Sequence, residues 1–140
     1  MIELVLQTGT ADCGQACLAM LLGVSAEEAS ALVGHARGTK TAELSALLRR
    51  RYACPDRLVL GRPTTDPALV KVAVPGLREW HWVVYSGARI LDPDPAGAAL
   101  ACLGGRPTSH LPLVGGGARP VRRVVSAGHF ERWSGIISGL

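Results

Sequence analysis

Aromatic residues are scarce in this sequence: one Phe, two Tyr and three Trp among 140 positions. That argues against base stacking as a main activity. No apolar run approaches the ~18 to 20 residues of a membrane span. The opening MIELVLQTG lacks the basic n-region and long apolar h-region of a signal peptide. The four cysteines, at positions 13, 17, 54 and 102, form no CxxC pair, which argues against a zinc-finger type of site. A zinc site using Cys13 and Cys17 with a histidine would lack a clear fourth ligand. No metal and no organic cofactor is implied. These absences together predict a reduced, cytoplasmic protein, with secretion or injection by a route that needs no signal peptide left open.

Charge is present in excess of one sign, but only modestly. The net charge is +4 and comes mostly from arginine. The clusters Arg49 to Arg51 and Arg122-Arg123 are short, and no recognised motif frames them, so no nucleic-acid partner is expected. Arg49 to Arg51 read more simply as a solvated helix end. With 48% apolar and 19% charged residues, the chain has ordinary globular composition. Its length predicts one domain, residues 1–140, large enough to bury its own core.

Hydrophobic periodicity predicts helices first and strands afterward. IELVL at residues 2–6 fits an extended segment leading to Gln7. Asp12 is expected to N-cap a first helix from Cys13 to about Leu22, ended by Gly23. Ala16, Cys17, Met20 and Leu21 would face the core. Ser25 and Glu28 form a capping box for a second helix with Ala29, Leu32 and Val33 inward. A loop holding His35 leads to a third helix, about Thr41 to Tyr52, with Leu44, Leu47 and Leu48 inward. Strands are expected at 58–60, 70–74, 81–85, 88–92 and 121–125, with Asp66 to Leu69 forming a single helical turn. Residues 93–120 are expected to be a long Gly- and Pro-rich loop around a short helical turn near 97–103. The end, GHFERWSGIISGL, reads as a short turn or helix and a strand-like tail. The order suggests α+β architecture, with N-terminal helices packed on an antiparallel sheet.

Candidate chemistry gathers around ADCGQACLAMLLG. A cysteine is a good nucleophile only as thiolate, and a helix N-terminus and a neighbouring imidazolium both favour that form. Cys13 starts the first helix, and Gly14 beside it would leave room for substrate. Of the four histidines, the strand pair 81–85 and 88–92 selects His81. With a two-residue loop at Ser86-Gly87, Tyr85 faces Ala88 and His81 falls opposite Asp92. His81, Val83, Ile90 and Asp92 would then share one face, and Trp82, Val84 and Leu91 the other. Asp92 would hold one ring nitrogen and leave the other for the thiol. Gln7 and the Cys13 backbone N–H would donate to an oxyanion. Each residue also has an ordinary reading: a core cysteine, a surface glutamine, a satisfied strand histidine and a turn aspartate. Cys17 reads as core, and so do Cys54 and Cys102.

The ordered set of motifs resembles the double-glycine leader peptidases, cysteine peptidase family 39. Their signature is similar to Q-TGTA-DCGQACLAMLLG, with Gln7 six residues before Cys13. HWVVY followed by ILDPDPAG resembles their His-containing strand and Asp-Pro segment. Phe130, Trp133 and Gly135 in HFERWSGI resemble their closing element. The resemblance implies a papain-like fold and a cysteine peptidase acting on a peptide or protein substrate. It implies Cys13 as nucleophile, His81 as general base, Asp92 as the orienting residue and Gln7 as oxyanion donor. It also implies cleavage after a Gly-Gly leader motif and association with an exporter, here from a stand-alone domain. The stretch 104–117 looks like an insertion, and Gly104-Gly105 within it resembles a cleavage site. An amidase, an acyltransferase, a transglutaminase-like effector and a catalytically silent peptide-binding module use or keep the same residues.

Overall fold

The computed structural model describes residues 2–73, 80–95 and 106–121. Three helices come first: α1 Cys13–Leu22, α2 Ala26–Val33 and α3 Thr41–Leu48. Short strands β1 Val59–Leu60 and β2 Thr65–Asp66 follow, then β3 Ala68–Ala73, β4 Trp80–Ser86, β5 Arg89–Leu91, β6 Arg106–Pro112 and β7 Arg119–Pro120. Five of them form an antiparallel sheet in the order β1-β6-β3-β4-β5, and β2 pairs with β7. The expected mixture of helices and antiparallel sheet is what the chain adopts.

Helix α1 is the centre of the molecule. Every residue from Cys13 to Leu21 is buried, including Gly14 and Gln15, so it has no solvent-facing side. A helix apolar all round must be covered all round. Its cover comes from α2, α3 and β4. Leu44 and Leu48 of α3 join Cys17, Leu18 and Leu21, with Leu69, Trp82, Val84, Leu91 and Leu111 from the sheet. The other face of the sheet carries a second cluster of Val70, Val72, Val83, Tyr85 and Ile90. The Ser25 cap of α2 is as expected, its hydroxyl accepting from the Glu28 N–H at 3.1 Å.

Several expectations are corrected. Helix α3 ends at Leu48 rather than Tyr52. The arginines that follow reach carbonyls elsewhere: Arg49 donates to Cys54 O and pairs with Asp56, and Arg51 donates to Leu21 O and Gly116 O. Arg49 and Arg51 thus brace the end of α3, and all three arginines are exposed, as expected of a solvated helix end. Asp66 to Leu69 is not a helical turn: Asp66 ends β2, and Ala68 and Leu69 open β3 as buried strand residues.

The largest correction concerns the segment expected to be a long loop. Its residues 106–112 form β6, an inner strand hydrogen-bonded to both β1 and β3. Proline removes a ladder donor and is usually confined to edges or bulges. Here the register slips between Lys71 and Val72, so that Ser109 pairs with Lys71 and Pro107 with Val72, a bulge that passes over Thr108. The helical turn near 97–103, Cys102, Gly104-Gly105, Arg122-Arg123, most of the 121–125 strand and the closing Phe130, Trp133 and Gly135 lie outside the described residues.

The hairpin register also shifts. β4 and β5 pair as Val84 with Leu91, Tyr85 with Ile90 and Ser86 with Arg89. The two loop residues are therefore Gly87 and Ala88, not Ser86 and Gly87. Their φ values are 60° and 62°, as a type I′ turn requires. A shift of two residues is one full pleat period, so the expected face assignments of Trp82, Val84, Leu91, Val83 and Ile90 survive it.

Two predictions follow from this packing. Ala88 holds a left-handed conformation that glycine adopts without a Cβ penalty. Ala88→Gly should raise unfolding free energy by about 1 kcal/mol, measured by urea denaturation. The second concerns His110, which is fully buried in β6. Its Nε2 accepts from the Thr64 N–H at 3.3 Å, so the Nδ1–H donates to Gly61 O at 3.1 Å. Burial lowers its pKa below the ordinary 6.5, against a smaller upward pull from Gly61. The neutral folded form therefore contributes stability that is present above pH 6.5 and is lost as pH falls through the depressed folded value. Urea midpoints should drop between about pH 7.5 and about pH 5.5, and the drop should be smaller in His110→Gln.

Candidate active site

The start of α1 is fixed from three sides. On one side, the Gln15 side chain donates to His35 O at 2.9 Å and to Arg37 O at 2.8 Å. That ties the 35–37 loop to the helix. The same loop is held to α3 by His35, whose Nε2 lies 2.7 Å from Glu43 Oε2. Thr39 then packs directly on Gly14: a Cβ built there would stand 1.9 Å from the Thr39 hydroxyl oxygen. Gly14 is therefore small because a loop crosses it, not because it leaves space for substrate.

Asp12 supplies the second side, and it does not cap the helix. Its Oδ2 accepts from the Thr8 N–H at 3.1 Å and the Thr8 hydroxyl at 2.9 Å, and its Oδ1 accepts from the Gly9 N–H at 2.8 Å. Burial opposes ionisation of this carboxyl, but these hydrogen bonds outweigh it and hold its pKa below the usual 3.8. The third side is the sheet, which brings His81 and Asp92.

His81 Nε2 lies 2.6 Å from Asp92 Oδ1, with the two side chains only 14% and 9% exposed. The ladder, continued past Leu91, sets Asp92 beside Val83 rather than His81. The two residues meet as a diagonal pair, a separation that side chains of this length can bridge. Asp92 Oδ1 also accepts from the Asp94 N–H at 3.0 Å, which fixes the carboxylate against its own turn. With Nε2 committed to Asp92, Nδ1 is the nitrogen left for sulfur.

The imidazole also interacts with Cys13, through both hydrogen bonding and charge. Burial alone would lower the His81 pKa, but the hydrogen bonds and charges of Asp92 and Cys13 outweigh burial and raise it to about 9. An imidazole with that pKa is protonated at neutral pH, the form that favours a thiolate beside it. Cys17, one turn along α1, is different. Burial pushes its thiol well above the ordinary range, and the charges of Cys13 and Asp92 add to that. It is a core thiol, as expected. Cys54 packs at the edge of the same core, half-buried, with its thiol donating to Ser45 O at 3.6 Å.

Gln7 reaches the same neighbourhood from the N-terminal segment. Its backbone N–H donates to Pro93 O at 2.8 Å, so it is bound to the residue after Asp92. Its side-chain Nε2 donates to Gly9 O at 2.9 Å, and its Oε1 is buried without a partner among the described residues. An amide nitrogen has two hydrogens, and Gly9 takes one. The Cys13 N–H is the first of α1, where no carbonyl within the helix can accept it. Cys13, His81 and Asp92 are thus brought into one cluster, with Gln7 joined to it through Pro93. The sequence did not announce Gln15, Thr39 or the direction of the Asp12 side chain. A polar Gln in an otherwise apolar helix was the one visible signal. Among the described residues no group of three or more His, Cys, Asp or Glu is arranged to hold a metal, and no single helix is long and apolar enough to cross a membrane.

No family profile, curated protein or solved structure matches this chain.

The geometry predicts a titration. The His81 ring signals should shift with a midpoint near pH 9 by NMR, and Asp92→Asn should move that midpoint down. The folded pKa lies above the ordinary 6.5, so the pairing contributes stability fully below pH 6.5 and loses it as pH rises through about 9. Unfolding free energy should therefore fall across that interval in the native chain and fall less in Asp92→Asn.

Proposed function

We propose that this chain is a papain-like cysteine peptidase of the double-glycine leader type, hydrolysing a peptide bond through a thioester on Cys13. One observation carries the reading: a largely buried imidazole held by Asp92 on one nitrogen and engaged with the Cys13 sulfur at the start of a buried helix. A structural cysteine has no need of a histidine oriented in this way.

In this reading the Cys13 thiolate attacks the carbonyl carbon of the scissile bond, and the carbonyl oxygen becomes an oxyanion. The Cys13 N–H and the second hydrogen of the Gln7 amide donate to it. The His81 imidazolium gives its proton to the departing amine, the C–N bond breaks, and a thioester remains. Neutral His81 then takes a proton from water as water attacks the thioester. The acid product leaves, and the thiolate and imidazolium are restored. Asp92 keeps the ring in the orientation that serves both halves. The substrate proposed is a peptide or protein ending its leader in Gly-Gly. An exporter is the natural companion of such a substrate.

The test is turnover of a Gly-Gly-terminated peptide carrying a fluorogenic amide. Cys13→Ala should reduce turnover by at least about 10,000-fold while its circular dichroism stays native. Turnover retained in Cys13→Ala removes the proposal. Adding an amine acceptor reads the second half of the reaction. Hydrolysis should dominate, whereas amide formed in excess of acid assigns the triad to an acyltransferase instead.

A further inference from the structure

We propose that Asp12 is a positioning residue for the oxyanion donor, acting on Gln7 through the 8–12 loop rather than on the helix that follows it. The inference deepens the peptidase reading and rests on it. An aspartate just before a helix normally turns its carboxylate forward to the N–H groups of the first turn. Asp12 turns backward. Among the described residues its three side-chain bonds are to Thr8 and Gly9, at 3.1, 2.9 and 2.8 Å. The approach is close enough that a Cβ on Gly9 would lie 3.3 Å from Asp12 Oδ1.

The consequence falls on Gln7. Gly9 is held at its N–H by Asp12, and its carbonyl accepts from the Gln7 amide at 2.9 Å. The backbone of Gln7 is fixed separately, by Pro93 O at 2.8 Å. Its side chain therefore has one described anchor, Gly9, and that anchor hangs on Asp12. Taking one amide hydrogen fixes the amide plane, and with it the direction of the second hydrogen. Asp12 is also covalently adjacent to Cys13. A single buried carboxylate thus ties the oxyanion donor to the residue beside the nucleophile, and a donor displaced by an ångström loses much of its effect on rate.

Two probes of Cys13 separate this role from general support. Acylation by p-nitrophenyl acetate passes through an oxyanion: the S–C bond forms at the carbonyl, and the C–O bond to p-nitrophenolate then breaks. Alkylation by iodoacetamide displaces iodide at a saturated carbon and makes no oxyanion. Gln7→Ala and Asp12→Asn should each slow acylation by about 10-fold or more and leave alkylation within about twofold. The double variant should be no slower than Gln7→Ala by more than about twofold, since the two act through one donor. Thr8→Ala removes one of the three bonds and should give a smaller fall of the same kind, which keeps the test alive should Asp12→Asn fail to fold. Effects that multiply in the double variant, or alkylation that falls in step with acylation in Asp12→Asn and Thr8→Ala, overturn the role of Asp12 alone. Acylation unchanged in Gln7→Ala overturns the oxyanion reading beneath it.

Discussion

Burial of α1 on every side is the constraint from which the site derives. Nine consecutive residues, Cys13 to Leu21, are buried, so the helix cannot rotate or slide without opening the core between α3 and the sheet. Close packing of that kind transmits position. It fixes the Cys13 sulfur as firmly as it fixes Leu18 or Leu21. The sheet that covers the helix with Trp82 and Val84 also carries His81 between Trp80 and Trp82 on β4. β4 therefore ties the histidine strand to the helix, while the alternation of its side chains sets His81 off the Trp82 and Val84 face.

The polar contacts then decide orientation and charge. Asp92 binds His81 Nε2 and is itself held by the Asp94 N–H. Pro93, between them, accepts from Gln7. One short turn thus fixes the Asp92 carboxylate and the backbone of Gln7 together. The price of this arrangement is desolvation: His81 is largely withdrawn from solvent, and the hydrogen bonds and charges of Asp92 and Cys13 keep it protonated up to about pH 9. The same desolvation acting on Cys17, without such support, leaves an inert thiol one turn away.

Much of this was legible in the sequence, and the failures have specific causes. The span of α1, the Ser25 cap of α2 and the two faces of the hairpin follow from period and turn chemistry. The hairpin faces survived a misplaced turn because the error was two residues, a full pleat period. β6 was not legible, because RPTSHLP carries two prolines and little alternation, and only the bulge at Thr108 lets it sit inside the sheet. The Asp12 direction was misread because local preference favours a cap. Here Thr8 and Gly9 offered three donors to it instead. Gly14 was read as an opening because its partner Thr39 is 25 residues away in sequence, and no local pattern reports such a contact. Cys13, His81 and Asp92 were legible as residue types in order, but their joining required the register that only the fold supplies.

The most direct test of the central claim is the pH dependence of Cys13 alkylation by limiting iodoacetamide, mapped by mass spectrometry in the native chain and in His81→Ala. The account predicts fast labelling confined to Cys13 at neutral pH, with buried Cys17 spared, and a clear loss of rate at that pH in His81→Ala. Slow labelling of Cys13, or an equal rate in the two proteins, would show that the imidazole does not activate the thiol, and the catalytic account would fail with it.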